Sequence, residues 1–285
     1  MKKKILILGG NGFIGKNFFN KYKKKYFIKK FGKYSKNKKI NLSNLKKINV
    51  SFDVIIDCSG SSSVKGSIEN PQKDYIKTIK SFNEIEKYLL LYNKKIKYIY
   101  ISSLAVYGNT NGKKLRPISP YGKNKVFIEK KLISISNKNK IELFIIRFGS
   151  LFGNGQKKQL LWDTLNKIFK NEDLLFHGTG EELRSWIHIS DAIKLIDICI
   201  QKNIKYNKII DVKSKYTIEN KKIIYKIFKI LNIKKKPKFN QFVRAGDPIN
   251  LVTNNKKNNS IKWRAKKKLI QGLRDYIKWF KKIKK

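Results

Sequence analysis

Cysteine, histidine, methionine and proline are scarce in this 285-residue chain, at two, two, one and five residues. Cys58 and Cys199 stand far apart with no CxxC spacing. That excludes a disulfide framework and a thiolate metal site, and it suits a reducing compartment. His177 and His188 are too few for a histidine metal centre and read as packing or hydrogen-bonding residues, so no metal is expected. Long apolar runs are missing as well. The chain opens as a signal peptide would, with three lysines before an apolar stretch, but Gly9 ends that stretch after four residues. No segment approaches the roughly 18 to 20 apolar residues of a membrane span, so a soluble, cytoplasmic protein with no membrane partner is expected.

Acidic residues number 19 against 67 lysines and arginines, a net charge of +48. Such a balance invites a nucleic-acid reading, since basic surfaces gain affinity by releasing counterions from phosphates. Only six of the basic residues are arginine, however, and the lysines are spread over nearly every segment alongside abundant Ile and Asn. Nucleic-acid binders concentrate charge on one face and favour the planar arginine fork. The distribution therefore points to a base composition that favours Lys, Ile and Asn codons, with no specific nucleic-acid partner and only salt-sensitive adhesion to polyanions.

With 41% hydrophobic residues the chain can build a sizeable core. Short apolar runs at 4–8, 54–58, 98–102 and 143–148 alternate with helix-period segments at about 13–24, 72–92 and 121–136. This alternation predicts an α/β fold in which helices cover a parallel sheet. A further strand is expected at 209–212 and a final helix over 262–280. After Phe148 the pattern loosens around Gly153, Gly155, Gly178 and Gly180, which suggests a smaller C-terminal lobe.

The first strand runs into Gly9-Gly10-Asn11-Gly12-Phe13-Ile14-Gly15 and then an amphipathic segment. Glycines at a strand-to-helix turn let backbone N–H groups approach a pyrophosphate, whose charge the helix start favours. Gly9, Gly12, Phe13, Ile14 and Gly15 are accordingly cofactor-binding candidates in a Rossmann-type, doubly wound sheet. No acidic residue follows about 20 positions on; the chain reads Lys29-Lys30-Phe31-Gly32-Lys33. Those lysines either meet a ribose 2′-phosphate, which leaves NADP open beside NAD, or are ordinary solvated lysines.

Tyr121 and Lys125 are four residues apart at a helix start, on one face. A phenol with an ordinary pKa of about 10 is a poor base at neutral pH. An ammonium about 4 Å away contributes on the order of 4 kcal/mol at intermediate dielectric, enough to lower that value by about three units. The reading therefore expects an acidified Tyr121 that exchanges a proton while a hydride moves to or from nicotinamide. Ser103 closes the set, because it follows the strand at 98–102, where open parallel sheets place their ligands.

The strings Ser102-Ser103-Leu104-Ala105-Val106-Tyr107-Gly108 and Ser119-Pro120-Tyr121-Gly122-Lys123-Asn124-Lys125 are similar to those of the NAD-dependent epimerase/dehydratase family, the extended short-chain dehydrogenases that modify nucleotide sugars. The Gly-x-x-Gly-x-x-Gly spacing, Arg184-Ser-Trp-Ile-His-Ile-Ser-Asp191 and Val243-Arg244-Ala-Gly-Asp247-Pro resemble it too, and the last is nearest to UDP-glucose 4-epimerases. The resemblance implies an NAD(P)-binding core over 1–152, to which 186–213 returns, and a lobe over 153–285 that binds substrate. It implies that Asn41 and Leu42 lie beside the adenine, that Ser59 and Gly60 pass under the cofactor, and that Tyr121 and Lys125 contact it. It further implies that Ser103, Ser150, Arg184, Arg244 and Asp247 hold the nucleotide sugar and that the protein is a homodimer. Ser150 and Thr78 replace asparagines usual in epimerases. Leu104 and Ala105 stand where dehydratases carry an Asp-Glu pair, which speaks against elimination. The expected function is epimerisation at C4 of a nucleoside-diphosphate hexose through a transient ketosugar. The alternatives are an NADPH-dependent ketosugar reductase and a non-catalytic dinucleotide- or RNA-binding protein.

Overall fold

The computed structural model describes residues 1–32, 51–90, 95–139, 141–254 and 261–284. Its first half alternates β1 (Lys4–Leu8), α1 (Phe13–Tyr22), β2 (Phe27–Phe31), β3 (Val54–Asp57), α2 (Val64–Glu69), α3 (Pro71–Tyr75), α4 (Ser81–Leu90), β4 (Lys97–Ser103), α5 (Pro120–Asn139) and β5 (Glu142–Phe148). The second half contains β6 (Ser150–Phe152), α6 (Gln159–Phe169), β7 (Leu175–Phe176), β8 (Leu183–His188), α7 (Ile189–Gln201), β9 (Lys208–Asp211), β10 (Thr217–Glu219), α8 (Asn220–Ile230), β11 (Lys238–Phe239) and α9 (Leu269–Lys284).

Six strands form one parallel sheet in the order β2-β1-β3-β4-β5-β9. The two-residue side-chain period of each strand sends alternate residues to opposite faces. Ile5, Ile7, Ile56, Ile99 and Phe144 meet one helical layer, formed by Phe18 of α1 and Ile193, Ile196 and Ile200 of α7. Leu6, Leu8, Ile55, Tyr98, Tyr100 and Ile145 meet Phe82, Ile85 and Leu89 of α4 and Ile128, Leu132 and Ile135 of α5 on the other face. Because both faces are covered, the strands carry the near-continuous apolar runs seen in the sequence. The strand order reverses at β1, and the crevice beyond the carboxyl ends of β1 and β3 is where such sheets hold ligands.

The second half contributes α7 and β9 to this sheet. Its other elements build a three-stranded sheet, β10-β8-β6, and a separate core around Phe152, Leu165, Trp186, Ile223, Leu273 and Phe280.

Several elements differ from the sequence reading. The edge strand β2 is half-exposed, and its Lys29-Lys30 breaks the apolar pattern that would reveal it. The helix expected over 72–92 is divided into α3, a π-helical turn at Ile76–Lys80 and α4. The final helix starts only at Leu269. The loose region after Phe148 holds regular elements, whose short strands are paired across distant sequence.

Candidate active site

Gly9, Gly12, Phe13, Ile14 and Gly15 form the turn from β1 into α1. Gly9 has φ +71°, and a Cβ there would lie 2.5 Å from the Cys58 carbonyl oxygen. A Cβ on Gly15 would lie 2.7 Å from Gly10 Cα, so only glycine lets the helix start this close to the turn. Gly12 caps α1 without any side-chain hydrogen bond, which leaves the first N–H groups of the helix for an anion. A pyrophosphate fits this cradle. Lys30 is occupied within the protein: its stem packs against the position a Gly10 Cβ would take, and its Nζ lies 4.3 Å from the Phe19 ring centre. Asn41 and Leu42 fall outside the described residues.

The loop after β3 sits next to this turn. Buried Asp57 organises it, accepting hydrogen bonds from Ser59 N at 2.8 Å and Ser59 Oγ at 2.5 Å through Oδ1, and from Tyr98 Oη at 2.7 Å through Oδ2. Gly60, at φ +88°, packs beside Thr78, whose Oγ1 accepts from Ser61 N at 3.0 Å. Thr78 thus supports the loop from below.

Ser103 ends β4, and its Oγ accepts from Ala105 N at 3.2 Å. Tyr121 and Lys125 lie on the first turns of α5, which Tyr121 N fastens to Ser67 Oγ of α2 at 3.1 Å. The Ser103 hydroxyl faces the Tyr121 phenol. Lys125 Nζ is buried, donates to Ile101 O at 2.9 Å, and lies 4.7 Å from the Tyr100 ring centre and 5.7 Å from that of Tyr121. The expected trio is therefore gathered at the carboxyl edge of the sheet, beside the glycine turn.

One expectation is overturned. Lys125 does not acidify Tyr121 in the protein by itself: burial pushes the phenol up to about 12, Asp74 adds to the rise, and the Ser103 hydroxyl opposes it. The physical reason is that enclosure disfavours phenolate, while the Lys125 ammonium is held on the Ile101 carbonyl, 5.7 Å from the Tyr121 ring centre. Burial also lowers the affinity of Lys125 for its proton, against the nearby carboxylates Asp57, Glu129 and Asp74.

Behind the trio runs a buried network that spacing did not reveal. Arg147 pairs with Glu129 through Nε at 3.0 Å and Nη2 at 2.5 Å. Its Nη1 donates to Tyr107 Oη at 2.6 Å, and Tyr107 in turn donates to Asp211 Oδ2 at 2.6 Å. Ser102 Oγ donates to Glu129 Oε1 at 2.5 Å. These bonds tie β4, α5, β5 and β9 together where Ser103 and Lys125 project. Glu129 lies one helical turn from Lys125, the single sequence signal that could have found it.

Arg184 also comes together with Arg244 and Asp247, a pair three residues apart that lies far from it in sequence. Arg184 on β8 donates to Ile249 O at 2.7 Å, Leu183 O at 3.0 Å and Pro248 O at 3.1 Å. Asp247 lies 3.8 Å from Arg184 and 3.7 Å from Arg244. In this arrangement Arg184 shapes the 247–249 loop, and Arg244 is the less enclosed cation. Ile249 N donates to Asn109 Oδ1 at 2.9 Å, which joins that loop to the segment leading into α5. Ser150 opens β6 opposite Trp186 of β8 and is half-buried.

A doubly wound, Rossmann-type α/β protein with a serine, a tyrosine and a lysine at the carboxyl edge beside a glycine turn defines the class. Residues 5–212 match the NAD dependent epimerase/dehydratase family, and the chain belongs to it. A putative UDP-glucose 4-epimerase of Methanocaldococcus jannaschii is 24% identical over 320 residues, covering 97% of this chain and 98% of that protein. A dTDP-D-glucose 4,6-dehydratase of Dictyostelium discoideum is 25% identical over 280 residues; the match takes in 80% of this chain but only 62% of that relative's length. The solved UDP-glucuronic acid 4-epimerase of Bacillus cereus, in complex with UDP-glucuronic acid and NAD, superposes with a TM-score of 0.86 at 20% identity, covering 98% of this chain and 99% of that one.

Proposed function

We propose that the protein is an NAD-dependent epimerase that inverts C4 of a nucleoside-diphosphate hexose through a transient 4-ketosugar. The observation that carries this reading is the convergence of Ser103, Tyr121 and Lys125 at the sheet edge beside the uncapped start of α1. The family and the epimerases similar to this chain support it. Bound NAD would supply a hydride acceptor, the return of that hydride, and a positive ring charge that favours phenolate.

The residues of the chain divide the remaining work. The turn at Gly9, Gly12, Phe13, Ile14 and Gly15 and the loop at Ser59 and Gly60 hold the dinucleotide, with Lys125 orienting it from its carbonyl anchor. Asn41 and Leu42 are assigned to the adenine end. Ser103 positions the reacting sugar oxygen by hydrogen bond, Tyr121 takes its proton, and Tyr121 returns a proton when the hydride comes back. Ser150, Arg184, Arg244 and Asp247 bind the nucleotide sugar, and Arg184 also holds the 247–249 loop through its backbone carbonyls. Residues 1–152 with 186–213 form the cofactor half, and the remainder forms the substrate half. A homodimer in the cytoplasm completes the proposal, with Tyr75, Ile76 and Phe127, exposed at 46%, 49% and 44%, as its apolar contact face.

The test is to incubate the purified protein with NAD and either UDP-glucose or UDP-N-acetylglucosamine and follow the sugar by NMR. Appearance of the C4 isomer without net change in cofactor absorbance is expected. Loss of NADPH absorbance with a ketosugar and no isomer would assign a reductase instead. Sedimentation analysis reads the dimer.

A further inference from the structure

The segment at 71–80 passes beneath the site and offers two side chains one turn apart. Thr78 supports the loop at Ser61. Asp74, one turn earlier, is only 3% exposed. Its Oδ2 accepts from Asn124 Nδ2 at 2.8 Å, while its Oδ1 is buried with no hydrogen-bond partner. Asn124 lies on α5 between Tyr121 and Lys125. A carboxylate enclosed with one oxygen unsatisfied is costly, and such groups persist where the surroundings fix them for another reason. Only one turn away, the backbone widens into the π-helical turn Ile76–Lys80, a feature frequent at functional sites.

We propose that Asp74 is a positioning residue for proton transfer: through Asn124 it fixes the first turns of α5, which carry Tyr121 and Lys125, and it places a buried carboxylate against them. The proposal rests on Tyr121 being the proton-transfer residue of the epimerase reading. The groups that face Tyr121 are Lys125 on its own helix, Ser103 and Tyr100 from β4, and Asp74 from α3. Of these, Asp74 is the one carboxylate acting on the phenol, and it acts in the same direction as burial. A base whose conjugate acid is stabilised in this way takes the sugar hydroxyl proton more completely once it has ionised.

The experiment labels tyrosine with ¹³C at Cζ and titrates the protein by NMR, the Tyr121 resonance being assigned by its loss in Tyr121→Phe. Replacing Asp74 by asparagine removes a negative charge, so phenolate should form more readily. The Tyr121 midpoint in Asp74→Asn should fall by roughly half a unit or more, and the acid limb of the kcat profile should move to lower pH by a similar amount. If the asparagine variant does not fold, Asp74→Leu, of similar volume, removes the same charge and carries the same expectation. An unchanged Tyr121 midpoint in a folded variant, judged by circular dichroism, overturns the proposal. The titration needs neither sugar nor cofactor. Absence of any isomer with the native protein therefore defeats the epimerase reading, whereas an unmoved midpoint defeats the role of Asp74.

Discussion

The two rims of the large sheet use the same kinds of side chain to opposite ends. At the amino rim, Lys97 is buried but donates to Ile200 O at 3.0 Å and Lys202 O at 2.6 Å, closing the end of α7, and lies 3.5 Å from Glu142. Nearby, Asp197 accepts from Lys25 at 2.9 Å and from Tyr26 at 2.6 Å. Charge and donor are matched locally, as favourable interactions at a helix C-terminus require. At the carboxyl rim, Asp57 is held by neutral donors and Asp74 keeps a bare oxygen. Lys125 lies on a carbonyl and Tyr121 holds its proton to about 12. Imbalance immediately around Tyr121 is what proton transfer needs, whereas the matched groups at the amino rim, like the Arg147–Glu129 pair behind the trio, are what a stable fold needs.

Four predictions break or sharpen this contrast. The largest effect belongs to Tyr121→Phe, which should lower kcat by about 10² to 10⁴-fold with thermal stability nearly unchanged, measured by isomer formation and by melting. Arg147→Met should instead cost about 3 to 5 kcal/mol of stability, because it leaves Glu129 buried without its cation; denaturant unfolding reads this. Lys97→Met should cost about 1 to 3 kcal/mol by stranding two carbonyls, yet leave kcat as in the native protein. A fall in kcat with intact cofactor binding would erase the division between the rims. The smallest effect concerns acid. Burial first, and Lys267 second, hold His188 down at about 4 against an ordinary 6.5, so the unfolded chain binds more protons between those values. Stability present above pH 6.5 should therefore fade as the pH falls towards 4, with the melting temperature dropping by about a few degrees. In His188→Gln that slope should flatten.

The carboxyl-rim site was legible where its parts are local. The glycine turn, the Tyr121-Lys125 spacing and Ser103 at a strand end each depend on short-range geometry that a strand-to-helix turn or a helix face imposes. The arginine cluster is legible in its members but not in all its bonds: Arg244 and Asp247 are three residues apart, whereas Arg184 reaches Asp247 only because β8 and the 247–249 loop are neighbours in space. Asp57, Asp74 and Glu129 are not legible in the sequence, because an isolated acid in a strand or helix looks solvated until packing encloses it. The proton affinity of Tyr121 is hidden for the same reason, since spacing gives the attraction to Lys125 and says nothing of desolvation.

By itself the sequence determined the parallel sheet, its two helical layers and the side chains offered at the edge, because two-residue and 3.6-residue periods act over neighbouring residues. Only the tertiary structure decided which charges are paired and how tightly Tyr121 keeps its proton. Proton affinity depends on what encloses a group from every direction, and most of those neighbours come from distant parts of the chain.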